Sequence, residues 1–186
     1  MPLSRIQSES MNLGDNFDFT GTVTGAGGGK VLQAQSTSFI GTFSTNSGSW
    51  TDVTGFNVSI TPSATSSKIL ILVNLNANSN DFFGLDLQRD GTSINIGDSS
   101  NLGNRQYASW GAMQMYGWSA EANPPFSIHI YDSPSTTSQV TYQLRTVGRY
   151  GTTSGTVYIN RPSTWNNDSI SGRVTASSIT AMEIAQ

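Results

Sequence analysis

Ile60-Thr61-Pro62-Ser63-Ala64-Thr65-Ser66-Ser67-Lys68-Ile69-Leu70-Ile71-Leu72-Val73-Asn74-Leu75-Asn76 decides the fold. A turn-forming polar run leads straight into a segment that is apolar on both strand faces from Ile69 to Val73. Five such residues are too few for a buried helix and far too few for a membrane span. They predict a central strand covered on both sides. One cover is a facing sheet; the other is a neighbouring subunit or, in a monomeric sandwich, more of the same chain.

The rest of the chain is poor in apolar material, so its core has to be concentrated. Among 186 residues, 35% are hydrophobic and 11% charged, both low for a globular domain. Disorder would come with high net charge and few aromatics. Here the net charge is −3 and aromatics make up 10%. The polar mass is uncharged hydroxyl and amide, which suits the solvent face of strands and their turns. Two lysines, Lys30 and Lys68, make no basic patch for nucleic acid. The N-terminus has no apolar signal core, and no stretch predicts membrane insertion. Without cysteine there are no disulfides and no thiolate metal sites.

Residues 1–29 stand apart. Sparse apolar positions, with Phe17, Phe19 and Val23 in an alternating run, end in the glycine-rich joint Gly25-Ala26-Gly27-Gly28-Gly29. This segment reads as an N-terminal arm for attachment or oligomerisation. From Lys30 onward, residues 30–186 read as one all-β domain. Expected strands are Lys30–Gln35, Trp50–Val53, Phe56–Ile60, the aliphatic run, Phe82–Arg89, Thr92–Ile96, Met113–Trp118, Phe126–Tyr131, Gln139–Val147, Val157–Ile159 and Ser178–Ile184. Asp90-Gly91 signals a tight hairpin. About ten short strands with turn chemistry between them predict a jelly-roll or related sandwich.

Residues able to carry chemistry are few. Ser127, His129 and Asp132 invite a triad reading, but Ser127 and His129 are neighbours on one strand face, and no nucleophile elbow precedes the serine. Asp81, Asp86, Asp90 and Asp98 cluster in sequence, yet Asp90 belongs to a turn and no facing acid pair is evident. Oxygen-rich stretches at Asp98-Ser99-Ser100-Asn101 and Asn166-Asn167-Asp168 suit calcium. Turn-forming use of Asp and Asn explains them equally well. Tyr107, Trp110, Tyr116, Trp118 and Trp165 lie in or beside Gly/Ser/Asn-rich segments, an arrangement suited to holding sugars. Filling the core or a subunit seam is the competing use of these rings. Trp50, just before a strand, is assigned to the core.

Several landmarks in order resemble one family. They are Gly29-Lys30-Val31-Leu32-Gln33, the Ile60-Thr61-Pro62 step before Ser66-Ser67-Lys68-Ile69-Leu70-Ile71, and Leu87-Gln88-Arg89-Asp90-Gly91-Thr92. Tyr131-Asp132-Ser133-Pro134, Val140-Thr141-Tyr142-Gln143-Leu144-Arg145 and Ser178-Ile179-Thr180-Ala181-Met182-Glu183-Ile184 follow. Together they resemble the C-terminal globular domain of bacteriophage tail fibres and other virion appendage proteins, especially from marine and cyanobacterial phages. The resemblance implies a homotrimeric jelly roll similar to tumour necrosis factor and complement-type heads, with first and last strands together at the stalk-proximal end.

It also implies a non-enzymatic structural protein of the virion surface, without a cofactor, that attaches to other virion proteins through Phe17, Phe19 and Val23. The trimer interface and core then take Ile69, Leu70, Ile71, Leu72, Val73, Met182 and Ile184. The loops would meet a host-surface glycan or receptor. Because the chain has no long repetitive shaft, the alternative is a capsid-surface decoration with purely structural contacts.

Overall fold

The computed structural model describes residues 30–79, 81–94, 108–113, 123–148, 155–164 and 172–185. Among them there is no helix. Eleven strands follow one another as β1 (Val31–Phe39), β2 (Phe43–Thr45), β3 (Thr51–Ile60), β4 (Lys68–Ser79), β5 (Phe83–Arg89), β6 (Thr92–Ile94), β7 (Trp110–Met113), β8 (Pro125–Asp132), β9 (Val140–Val147), β10 (Val157–Ile159) and β11 (Ser177–Ile184).

They make two sheets. The first runs β1-β11-β4-β8, with β10 and then β2 continuing beside the far end of β4; the second runs β3-β9-β5, with β6 and β7 both on β5. Every pairing is antiparallel. The chain passes from sheet to sheet at β2–β3, β3–β4, β4–β5, β7–β8, β8–β9 and β9–β10, as in a jelly-roll sandwich.

The decisive stretch is β4, the central strand of the first sheet. Its odd positions Ile69, Ile71, Val73 and Leu75 are at most 1% exposed and face the second sheet. They meet Val58, Ile60, Leu85, Leu87 and Leu144 in one continuous core. Burying each such side chain contributes about 1.5–3 kcal/mol. Its even positions Leu70 and Leu72 lie on the opposite, outer face and stay partly exposed within the single chain. Aromatic pairs tie the sheets at both flanks: Phe39 of β1 stacks on Phe56 of β3 at 5.4 Å, and Phe83 of β5 meets Phe126 of β8 edge-on at 6.2 Å.

Several expected strands are redrawn. The expected Trp50–Val53 and Phe56–Ile60 merge into one strand, β3, which begins at Thr51 and is interrupted where Gly55 adopts φ 83° and the register with β9 shifts between Asp52 and Asn57. The Gln143 amide fills that bulge, reaching the carbonyls of Val53 and Phe56 at 2.9 and 3.2 Å. The short β2 had no alternating signal to announce it. β7 covers Trp110–Met113, ahead of the expected Met113–Trp118, whose remaining residues lie outside the described ones.

Candidate functional site

Strand directions give the sandwich two unlike poles. At one, the Ala185 N–H donates to the Lys30 carbonyl at 2.7 Å, so the first and last strands end together where residues 1–29 join the domain. The loop 61–67, the Asp90-Gly91 turn and the connection 133–139 share this arm-proximal pole. At the other pole stand the residues that flank most undescribed stretches: Ser79 and Asp81, Met113 and Asn123, Gly148 and Gly155, Thr164 and Gly172. Hydrogen bonds gather these ends. Gly148 N–H donates to Ser47 O at 3.1 Å, and the Asn123 amide donates to Thr175 Oγ1 at 2.7 Å.

A fully buried polar residue helps to hold each pole. At the arm-proximal pole Glu183, fully buried on the inward face of β11, accepts the Ser63 N–H (2.7 Å) and hydroxyl (2.6 Å) and the Gln33 amide (2.6 Å). Burial alone would push its carboxyl up. Donors from Ser63, Gln33 and Ser67 outweigh that and lower it to about 2. At the distal pole Asn160, also fully buried and at φ 60°, donates its amide to Phe39 O and Gly41 O and accepts the Ser177 hydroxyl. Neither residue stood out in the sequence. The signals were a lone carboxylate on the inward side of an alternating strand and an asparagine directly after one.

The outer face of the first sheet can be read row by row from the pairings β1-β11-β4-β8. Nearest the arm come Val31, Ile184 and Lys68, then Ala34, Met182, Leu70 and Tyr131. Ser36, Thr180, Leu72 and His129 follow, then Ser38, Ser178, Asn74 and Ser127. The face therefore grades from apolar to hydroxyl and amide. Val31 and Tyr131 are 53% and 56% exposed, while Leu70, Leu72, Met182 and Ile184 are partly exposed. Leu32 of β1, at the register shift with β11, is also 50% exposed. Ile40, Phe82 and Val174 are also exposed, but they lie beyond the strands at the distal pole.

The second sheet's outer face is polar and closed on itself. Asp86 of β5, almost fully buried, receives Arg145 Nε of β9 at 2.6 Å and the Ser93 hydroxyl at 2.9 Å, with the Ser109 hydroxyl 2.9 Å from its other oxygen. The Gln88 amide donates to Asp52 at 2.8 Å. Trp50 belongs here and not to the core. Gly84 has no side chain, so the indole lies on the sheet, its Cη2 only 3.0 Å from where a Cβ would stand, with the Arg145 guanidinium 5.5 Å from the ring centroid.

The candidate chemistry resolves accordingly. Ser127 and His129 are exposed on the outer face of β8, and the Ser127 hydroxyl donates to Asn74 Oδ1 at 2.9 Å. Asp132 lies on the opposite side of that strand, bound to Arg89 at 2.6 Å and to the Tyr142 hydroxyl at 2.8 Å. This bridge between the sheets leaves no triad. Burial, with the Asp132 bond second, drives the Tyr142 phenol far upward. From its turn Asp90 accepts the Thr141 N–H of β9 at 2.8 Å, and Asp86 is committed to Arg145, so these two carboxylates form no acid pair. No group of three or more metal-ligating side chains occurs among the described residues.

Of the five candidate sugar-binding aromatics, Trp110 sits opposite Leu85 and packs against the edge of the core, partly exposed. Tyr107, Tyr116, Trp118 and Trp165 lie outside the described residues, as do Phe17, Phe19, Val23 and both oxygen-rich stretches considered for calcium. The residues flanking the segments of Tyr116, Trp118 and Trp165 all stand at the distal pole.

A scan against protein-family models returns no match, and a search of curated proteins returns none.

Proposed function

We propose that this chain is a non-enzymatic bacteriophage virion protein: a homotrimeric jelly-roll fibre or fibre tip on the particle surface, anchored through residues 1–29. The segments joined to its distal pole meet a host-surface glycan or receptor. The observation that carries the reading is the partly exposed apolar face of the first sheet, formed by Leu70, Leu72, Met182, Ile184 and Tyr131. Contiguous apolar surface of this kind, bordered by hydroxyl and amide rows, favours an interaction site. Copies of the same chain, each with the same face and the same arm at one pole, supply it.

The mechanism is avidity. Linked weak sites meet their ligand at effective concentrations of around millimolar, which strengthens attachment by roughly 10²–10⁴ without new contacts. Purified protein is expected to compete with phage for adsorption to host cells, and antibody labelling to place it on the tail or fibres. Undiminished adsorption together with labelling over the capsid shell would replace this reading with a capsid decoration.

A further inference from the structure

We infer that the copies join only along the arm-proximal half of the first sheet and part towards the distal pole, leaving a polar vestibule on their common axis. This rests on the trimer proposed above and adds where its seam lies. The outer face changes chemistry along its strands. Met182 and Leu70, paired on adjacent strands, present apolar surface to a partner, whereas Ser178 and Asn74, four residues further along the same strands, do not.

The distal half already uses its polar groups internally. Ser127 donates to Asn74, the Asn76 amide donates to Ala176 O at 2.7 Å, and the Ser36 and Thr180 hydroxyls lie 2.8 Å apart. Pressing these rows against a partner would strip their remaining hydration with little apolar area gained in return. The proximal half meets no such obstacle. Lys68, the only fully charged side chain on these rows, is at the rim, its ammonium held by Ser133 at 2.6 Å where it can stay in water.

The occupant follows from the chain's course. Each copy's preceding 29 residues join at Lys30, beside the apolar rows, so gathering the arms brings those rows together. With the domains joined there, their distal poles stand apart.

The chain has no cysteine, so single thiols report the seam directly. Met182→Cys and Ser178→Cys lie on one strand and are similarly exposed in the isolated chain. In the assembled full chain the thiol of Met182→Cys is expected to react with a maleimide at least about tenfold more slowly than after dissociation. That of Ser178→Cys should react at the same rate in both states. Equal protection of both, or protection of Ser178→Cys alone, overturns the inference while leaving the trimer standing.

As a second measurement, Tyr131→Lys should weaken assembly at least about tenfold, and Asn74→Lys by no more than about twofold. Circular dichroism verifies that each variant is folded. The reverse order would also overturn the inference. A wild-type chain that is monomeric throughout removes both the trimer and the seam.

Discussion

A carboxylate on the inward side of a strand has to be surrounded by donors, and Glu183 is. Its partners come from β1 and from the loop entering β4, so one side chain fastens the strand that continues into the arm to the last strand and to the turn before the central one. Its carboxyl is lowered from 4.5 to about 2 by those donors. A depressed carboxyl stabilises the fold above its unfolded value and loses that contribution as pH falls through the folded value. The melting temperature should therefore drop between pH 4.5 and about 2, and the drop should shrink in Glu183→Gln. At pH 7 that variant, whose amide turns an NH2 towards the Ser63 or Gln33 donors, should lose about 1–3 kcal/mol in denaturant titrations. An unchanged acid profile in the variant would assign the acid sensitivity elsewhere.

At the scale of the element, the Asp90-Gly91 hairpin is a turn whose sequence announces it. Asp90 at φ 49° and Gly91 at φ 84° take the left-handed conformations that match the twist of β5 and β6. A methyl at Gly91 meets nothing within 4 Å, so the cost of Gly91→Ala is conformational alone. Chemical denaturation should show a loss of about 1 kcal/mol; a neutral result would mean the turn relaxes. Such local signals made much of the sandwich legible: alternation in β3 and β11, the aliphatic run of β4, and this turn. What escaped was long-range. Gly55 hides the continuity of β3 because a bulge breaks the period of two while pairing resumes beyond it. Trp50 moved from core to outer face because its place depends on Gly84, 34 residues away and without a side chain to fill the space. The candidate site was legible in part. The two faces of β4 were readable from Ile69–Val73, but the polar boundary across the outer face exists only once β1, β11, β4 and β8 are aligned.

At the scale of the whole molecule, a single chain explains one face of β4 and leaves the other unfinished. Ile69, Ile71 and Val73 have the second sheet as cover; Leu70 and Leu72 are only partly covered by the described residues. In a chain this polar, the proposal that identical copies complete the cover turns composition, topology and the position of the arm into consequences of one assembly. The mass of the full-length protein, measured by sedimentation equilibrium at micromolar concentration, tests this most directly. The account predicts a species of three chain masses that persists on dilution. A single chain mass at every concentration would contradict it.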